Sequence, residues 1–126
     1  MNREAEKHFN TGNELGAMGD HPSAVEEFKN AIEEDANDPR YWISYGVCLM
    51  VLKHWDEAIE KLEAGINLKP AYAEADARLY LVEALLKAGR KSDAIKQLEY
   101  ISTMQPSYPG YEKPIDEAKA RLKEII

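Results

Sequence analysis

Ala24-x3-Phe28-x2-Ala31 returns thirty-four residues later as Ala58-x3-Leu62-x2-Gly65, and Gly12-x2-Leu15 returns at the same offset as Gly46-x2-Leu49. A third copy, Ala94-x3-Leu98-x2-Ile101, follows at an offset of 36, and Pro70 and Pro106 also stand 36 apart. Such a period restricts the chain to stacked supersecondary units, because no unit this short buries its own apolar faces and each must cover the next. Three units are expected, over about 5–38, 39–72 and 73–108, the last with two extra residues.

Each unit reads as two helices. Trp42, Tyr45, Gly46, Leu49 and Leu52 fall on one helical face, and Ala58, Ile59, Leu62, Gly65 and Ile66 mark a second. Lys53-His54 is too short a link for anything but antiparallel packing. Asp38-Pro39 reads as an N-cap followed by proline in the first turn, and His21-Pro22 as the same device in unit one. Gly19 and Gly89 occupy matching inter-helix turns, where a positive φ suits glycine. Anchoring unit three on Ala94 makes its first helix longer, with a start near Ala71 or Tyr72. No strand alternation or hairpin turn is present. A last helix over about 112–126 carries the stripe Ile115, Ala118, Leu122 and Ile125, with a Glu117–Arg121 pair outside, and suits a lid on unit three. The whole chain, 1–126, is expected to be one all-α domain.

Composition narrows the function. With 44% hydrophobic and 31% charged residues the chain is neither disordered nor membrane-embedded in character. Its longest uncharged apolar stretch, Tyr41 to Leu52, falls short of the ~18 residues of a membrane span. Met1-Asn2-Arg3-Glu4 lacks an apolar leader core, and Cys48 is alone, so a cytoplasmic setting is expected. The net charge of −7 argues against nucleic acid. Residues 1–38 hold three basic and ten acidic groups, which accounts for all of that charge; the other segments balance. A basic partner would feel that end first.

The spacing Trp42-x2-Tyr45-Gly46-x2-Leu49, Ala58-x3-Leu62 and Pro70 resembles the tetratricopeptide repeat, and units one and three match it in register at Gly12, Leu15, Ala24, Phe28 and Ala31, and at Leu81, Leu85, Ala94, Leu98 and Pro106. The resemblance implies a superhelix of three helix-turn-helix units plus a capping helix. Small residues at Gly12, Gly46 and Gly65 would let helices approach, and Phe28, Leu62 and Leu98 would fill the spaces between units. It further implies a concave groove lined by the first helix of each unit. Among the groove positions, Phe9, Asn10, Asn13 and Gly16 come from unit one, Arg40, Ile43, Ser44, Val47, Met50 and Val51 from unit two, and Leu79, Tyr80 and Glu83 from unit three. Phe9, Ile43, Val47, Val51, Leu79 and Tyr80 form an apolar stripe left over after the core is assigned.

One subclass of the family grips chaperone C-terminal carboxylates with a basic clamp. The matching residues here are Phe9, Asn13, Ser44, Asp76 and Tyr80, of which only Asn13 fits; another register would offer Arg78. An acid where a lysine is needed repels a dianion. No catalytic constellation is found. His21 and His54 lack a third metal ligand. Cys48 reads as a buried, inert thiol. Adjacent acids such as Glu26-Glu27 point apart on a helix. The expected function is therefore a non-catalytic, cofactor-free and metal-free module. It would bind a peptide or helix of a partner protein through apolar anchors with a basic flank. Two rivals stand beside it: a self-assembling scaffold in which a second copy is the ligand, and a regulatory domain of a larger enzyme or chaperone complex.

Overall fold

The computed structural model describes residues 2–126, so the domain expected from Met1 is seen from Asn2. Seven helices follow one another: α1 (Arg3–Ala17), α2 (His21–Glu34), α3 (Pro39–Val51), α4 (Trp55–Asn67), α5 (Glu74–Lys87), α6 (Lys91–Ser102) and α7 (Lys113–Ile125). Among the described residues there is no strand. The hairpins α1–α2, α3–α4 and α5–α6 stack in chain order, and α7 closes the stack against α6 and α5.

At the starts of α1, α2 and α3, side chains satisfy amides that have no partner inside the helix. Asn2 accepts from the Ala5 amide at 3.0 Å, and Asp38 from the Arg40 amide at 3.0 Å. Unit one differs from the sequence expectation: Asp20 is the cap, accepting from the Ser23 amide at 3.3 Å, and His21 is already helical. A carboxylate can accept that bond, so the cap falls one residue earlier.

The inter-helix turns share one geometry. Asp20, His54 and Arg90 each donate a backbone bond to the carbonyl five residues back, Leu15, Leu49 and Leu85, at 2.9, 2.9 and 2.8 Å. The residue before each has positive φ: Gly19 at 87°, Lys53 at 64° and Gly89 at 79°. This is the Schellman closure, and unit two makes it with a lysine.

Within the first two hairpins a large side chain seats on a glycine. A Cβ on Gly12 would stand 2.6 Å from the Phe28 ring, and one on Gly46 would stand 2.7 Å from Leu62. Phe28 and Leu62 therefore fill space against the glycine of their own unit, whereas the sequence reading placed them between units. Gly65 lets Ile43 and Trp42 approach α4 in the same way. Units pack through another face of the first helices. The buried residues Tyr41, Tyr45 and Cys48 of α3 recur 36 residues on as Ala77, Leu81 and Ala84 of α5.

Unit three corrects a second expectation. Its first helix is not lengthened back to Ala71 or Tyr72: residues 71–73 form a turn, and α5 begins at Glu74. The extra pair lies in the connection, where added length disturbs no packed face. In α7, Ile115 and Ala118 are buried and Leu122 and Ile125 pack on the cluster containing Leu98 and Ile101. Arg121 does not pair with Glu117; it reaches Glu83 of α5 at 3.0 Å and ties the lid to the stack.

Candidate peptide-binding groove

The helices α1, α3 and α5 border an open cleft of about 400 Å³. Asn13, Ile43, Ser44, Val47, Val51 and Tyr80 from the expected set meet there. Val51 is 53% and Tyr80 44% exposed, while Ile43 and Val47 are half-buried, so the apolar wall is accessible from solvent. Gly16, a groove position of unit one, also lines it, and Gly12, His21, Phe28 and Cys48 complete the lining from outside the expected set. The two glycines differ. Gly12 is filled by Phe28, but a Cβ on Gly16 would meet nothing within 4 Å. Glycine inside a helix costs about 1 kcal/mol relative to alanine, and here its missing side chain leaves the cleft open.

The other expected residues lie outside the cleft lining. Phe9 lies 6.1 Å from the Phe28 ring and 5.1 Å from the Tyr41 ring. Arg40 covers it, 5.0 Å from the Phe9 centroid, and pairs with Asp38 at 2.7 Å and with Glu6. Asn10 is exposed on α1 without lining the cleft. Met50 packs against the cores on both sides of α3, and Leu79 against the core shared by α4, α5 and α6. Glu83 is held by Arg121. The groove positions that the resemblance implies find the concave side but do not say which of its residues a neighbour already covers.

The hydrogen bonds from Arg40 hold the Asp38 carboxyl below its usual range, and the same pairing raises the guanidinium. Burial, helped by Glu6, pushes the Tyr41 hydroxyl up to about 12; burial and Glu57 do the same for Tyr45. Burial also raises the Cys48 thiol. That thiol lies 3.4 Å from the His21 carbonyl, which accepts from it, and 3.7 Å from His21 Nδ1. The cleft floor therefore carries a neutral, weakly polar sulfur at neutral pH. No group of three or more His, Cys, Asp or Glu able to hold a metal occurs among the described residues.

Past Tyr80, the N-terminal turn of α5 meets the segment before α7. The Tyr111 hydroxyl donates to both Asp76 carboxylate oxygens, at 3.0 and 3.2 Å. That bond, more than any other influence, raises the Tyr111 hydroxyl, and Tyr108 and Tyr80 add to it. The Tyr108 and Tyr111 rings stack at 4.7 Å with 11° between their planes. Arg78 faces away toward α6: it pairs with Glu74 at 2.9 Å, donates to Gln97 at 2.8 Å and lies 4.1 Å over the Tyr100 ring. It does not complete a basic clamp in the cleft.

Three stacked hairpins with their first helices along a shared trough define an α-helical repeat protein. The family model described as Tetratricopeptide repeat matches residues 9–73 and again 55–110, and the chain belongs to that family, with its all-α superhelix. Among curated proteins it is 25% identical over 111 residues to the small glutamine-rich tetratricopeptide repeat-containing protein 2 of Mycosarcoma maydis, covering 88% of this chain and 31% of that one. The chain spans less than a third of the length of the curated relatives it matches. Among solved structures, the Yersinia enterocolitica type III secretion chaperone SycD in complex with a peptide of the translocator YopD superposes with a TM-score of 0.84 at 19% identity, covering 95% of this chain and 90% of that one. The first TPR of Spaghetti (RPAP3) bound to an HSP90 peptide superposes at 0.78 with 18% identity, covering 98% and 94%. These likenesses show a shared fold. No helix among the described residues is long and apolar enough to cross a membrane.

Proposed function

We propose that this chain is a protein–protein interaction module that binds, without transforming, a segment of a partner protein in the cleft between α1, α3 and α5. The observation that carries the reading is the open apolar wall of Ile43, Val47, Val51 and Tyr80 beside an unfilled Gly16. Apolar side chains of the segment would be buried there, with Asn13 and Ser44 offering hydrogen bonds that fix its register. The acidic first unit favours a partner with basic residues nearby. Two proteins of the same fold hold peptides of other proteins, which gives the reading a precedent.

The test is selection of random dodecapeptides displayed on phage, followed by calorimetric titration of synthetic copies of the enriched sequences. Gly16→Leu should fill the cleft and weaken binding by about tenfold or more, the equivalent of one apolar side chain's burial. Its thermal stability should hold or rise, because leucine is the better helix former. Val47→Glu should weaken binding as well. Failure to enrich any sequence, or equal affinity for wild type and Gly16→Leu, overturns the proposal.

A further inference from the structure

Asp76 occupies the groove-side position of α5 that Glu6 occupies in α1 and Arg40 in α3. The other two form a pair, and Arg40 is engaged a second time by Asp38. Glu83, the other carboxylate expected along the groove side of α5, is neutralised by Arg121. Asp76 is the exception. Among the described residues its contacts within hydrogen-bonding distance are with the neutral Tyr111 hydroxyl, and it has no cationic partner within 4.0 Å. It is half-buried, so its charge is only partly screened by water.

The surroundings suit a cation. Tyr111 and Tyr108 stack beside the carboxylate, and Tyr108 is 47% exposed. Tyr80, one helical turn further along α5, already lines the apolar cleft. An aromatic face next to a carboxylate attracts an ammonium or guanidinium through both the ring quadrupole and the charge. The four-residue step from Asp76 to Tyr80 rises about 6 Å, which an extended peptide covers in about two residues.

On the reading of the cleft given above, we infer that Asp76, with Tyr108 and Tyr111, forms a second subsite that takes a lysine or arginine of the bound segment, about two or three residues from its apolar anchor. The occupant is a peptide segment of a partner protein. It is recognised by an apolar side chain between α1, α3 and α5 and by a basic one at the start of α5. The charge preference is opposite to that of a basic carboxylate clamp.

The same dodecapeptide library tests this separately from the parent reading. Sequences enriched on wild type should share an apolar residue and, at constant spacing, a lysine or arginine. Selection on Asp76→Asn should retain the apolar residue and lose the basic one. Synthetic basic peptides should bind Asp76→Asn about tenfold more weakly, from one ion pair and one cation–π contact. Their salt dependence should fall with it, and Asp76→Lys should enrich acidic residues instead. Asparagine keeps an acceptor for the Tyr111 hydroxyl, and melting of each variant checks the fold. Apolar peptides with no basic preference, or basic peptides that bind Asp76→Asn and wild type alike, overturn the subsite and leave the cleft standing. Failure to enrich anything on wild type overturns both.

Discussion

Lys53 carries a cost that its counterparts avoid. It takes φ of 64° in a turn that Gly19 and Gly89 close with the same hydrogen bonds. A side chain in the left-handed region costs about 1 kcal/mol, which glycine does not incur, though glycine loses more entropy on folding. Lys53→Gly should therefore raise stability by about 0.5–1 kcal/mol, read as a shift in the urea midpoint without a change in slope. The buried tyrosines make a second prediction. Tyr41 and Tyr45 titrate near 12 in the fold against 10.0 in the open chain. The folded state thus keeps protons that the unfolded state has released, so the stability they contribute is complete below pH 10 and lost as pH rises toward 12. Alkaline unfolding should track phenolate absorbance across that window, and Tyr45→Phe should flatten its pH dependence. Tyr41 also marks a limit of reading by pattern. It is among the most buried side chains, at 1% exposure, yet the stripe chosen from the sequence ran through Trp42, which is only half-buried with its indole N–H on the Ala36 carbonyl. Tyr41 and Cys48, which pack hairpin against hairpin, lie off that stripe, and a single helical periodicity reports one face.

At the level of elements, the repeat was legible because its spacing follows contacts that recur: glycine against a large side chain, proline after the second helix, a positive φ between the two. What did not recur was harder to place. The two added residues in unit three have no counterpart, so only coordinates could show them in the turn before α5. The partner of Arg121 lies across an interface made once, between α7 and α5, and the local i,i+4 rule named Glu117 instead of Glu83. The same contact takes Glu83 out of the groove set. Cys48, His21 and Phe28 were missed in the cleft because each was assigned a structural role first, and a floor residue can have both. The lid itself is testable. Ala118 is fully buried on α7 beside the cluster of Leu98 and Ile101. Ala118→Glu puts a carboxylate there with no cationic partner, at a cost of several kcal/mol if α7 stays docked. The helix should detach instead, with faster amide exchange over 113–125 than elsewhere and increased binding of a hydrophobic dye. Exchange unchanged in α7 would mean that the lid does not hold the stack closed.

The whole stack raises the question of where its apolar surface ends. In α3 and α5 the positions that face the preceding hairpin are Tyr41, Tyr45 and Cys48, then Ala77, Leu81 and Ala84, all buried. The corresponding positions of α1 are Lys7, Thr11 and Glu14, all exposed. At the other end α7 turns Asp116, Glu117, Lys119 and Lys123 to solvent. A hairpin array grows by adding apolar faces, and polar terminal faces oppose that growth. The charge works in the same direction for one arrangement: two first units brought face to face would set −7 against −7. The cleft between α1, α3 and α5 is then the surface best suited to take up a further chain. Sedimentation velocity over a concentration series should accordingly give one species at the monomer mass of 14.3 kDa. A concentration-dependent dimer would instead bring in a second copy, through the groove or through an end of the stack. Gly16→Leu separates the two routes to it, because a dimer that survives the filled cleft is joined through an end of the stack, and one that dissociates is joined through the groove.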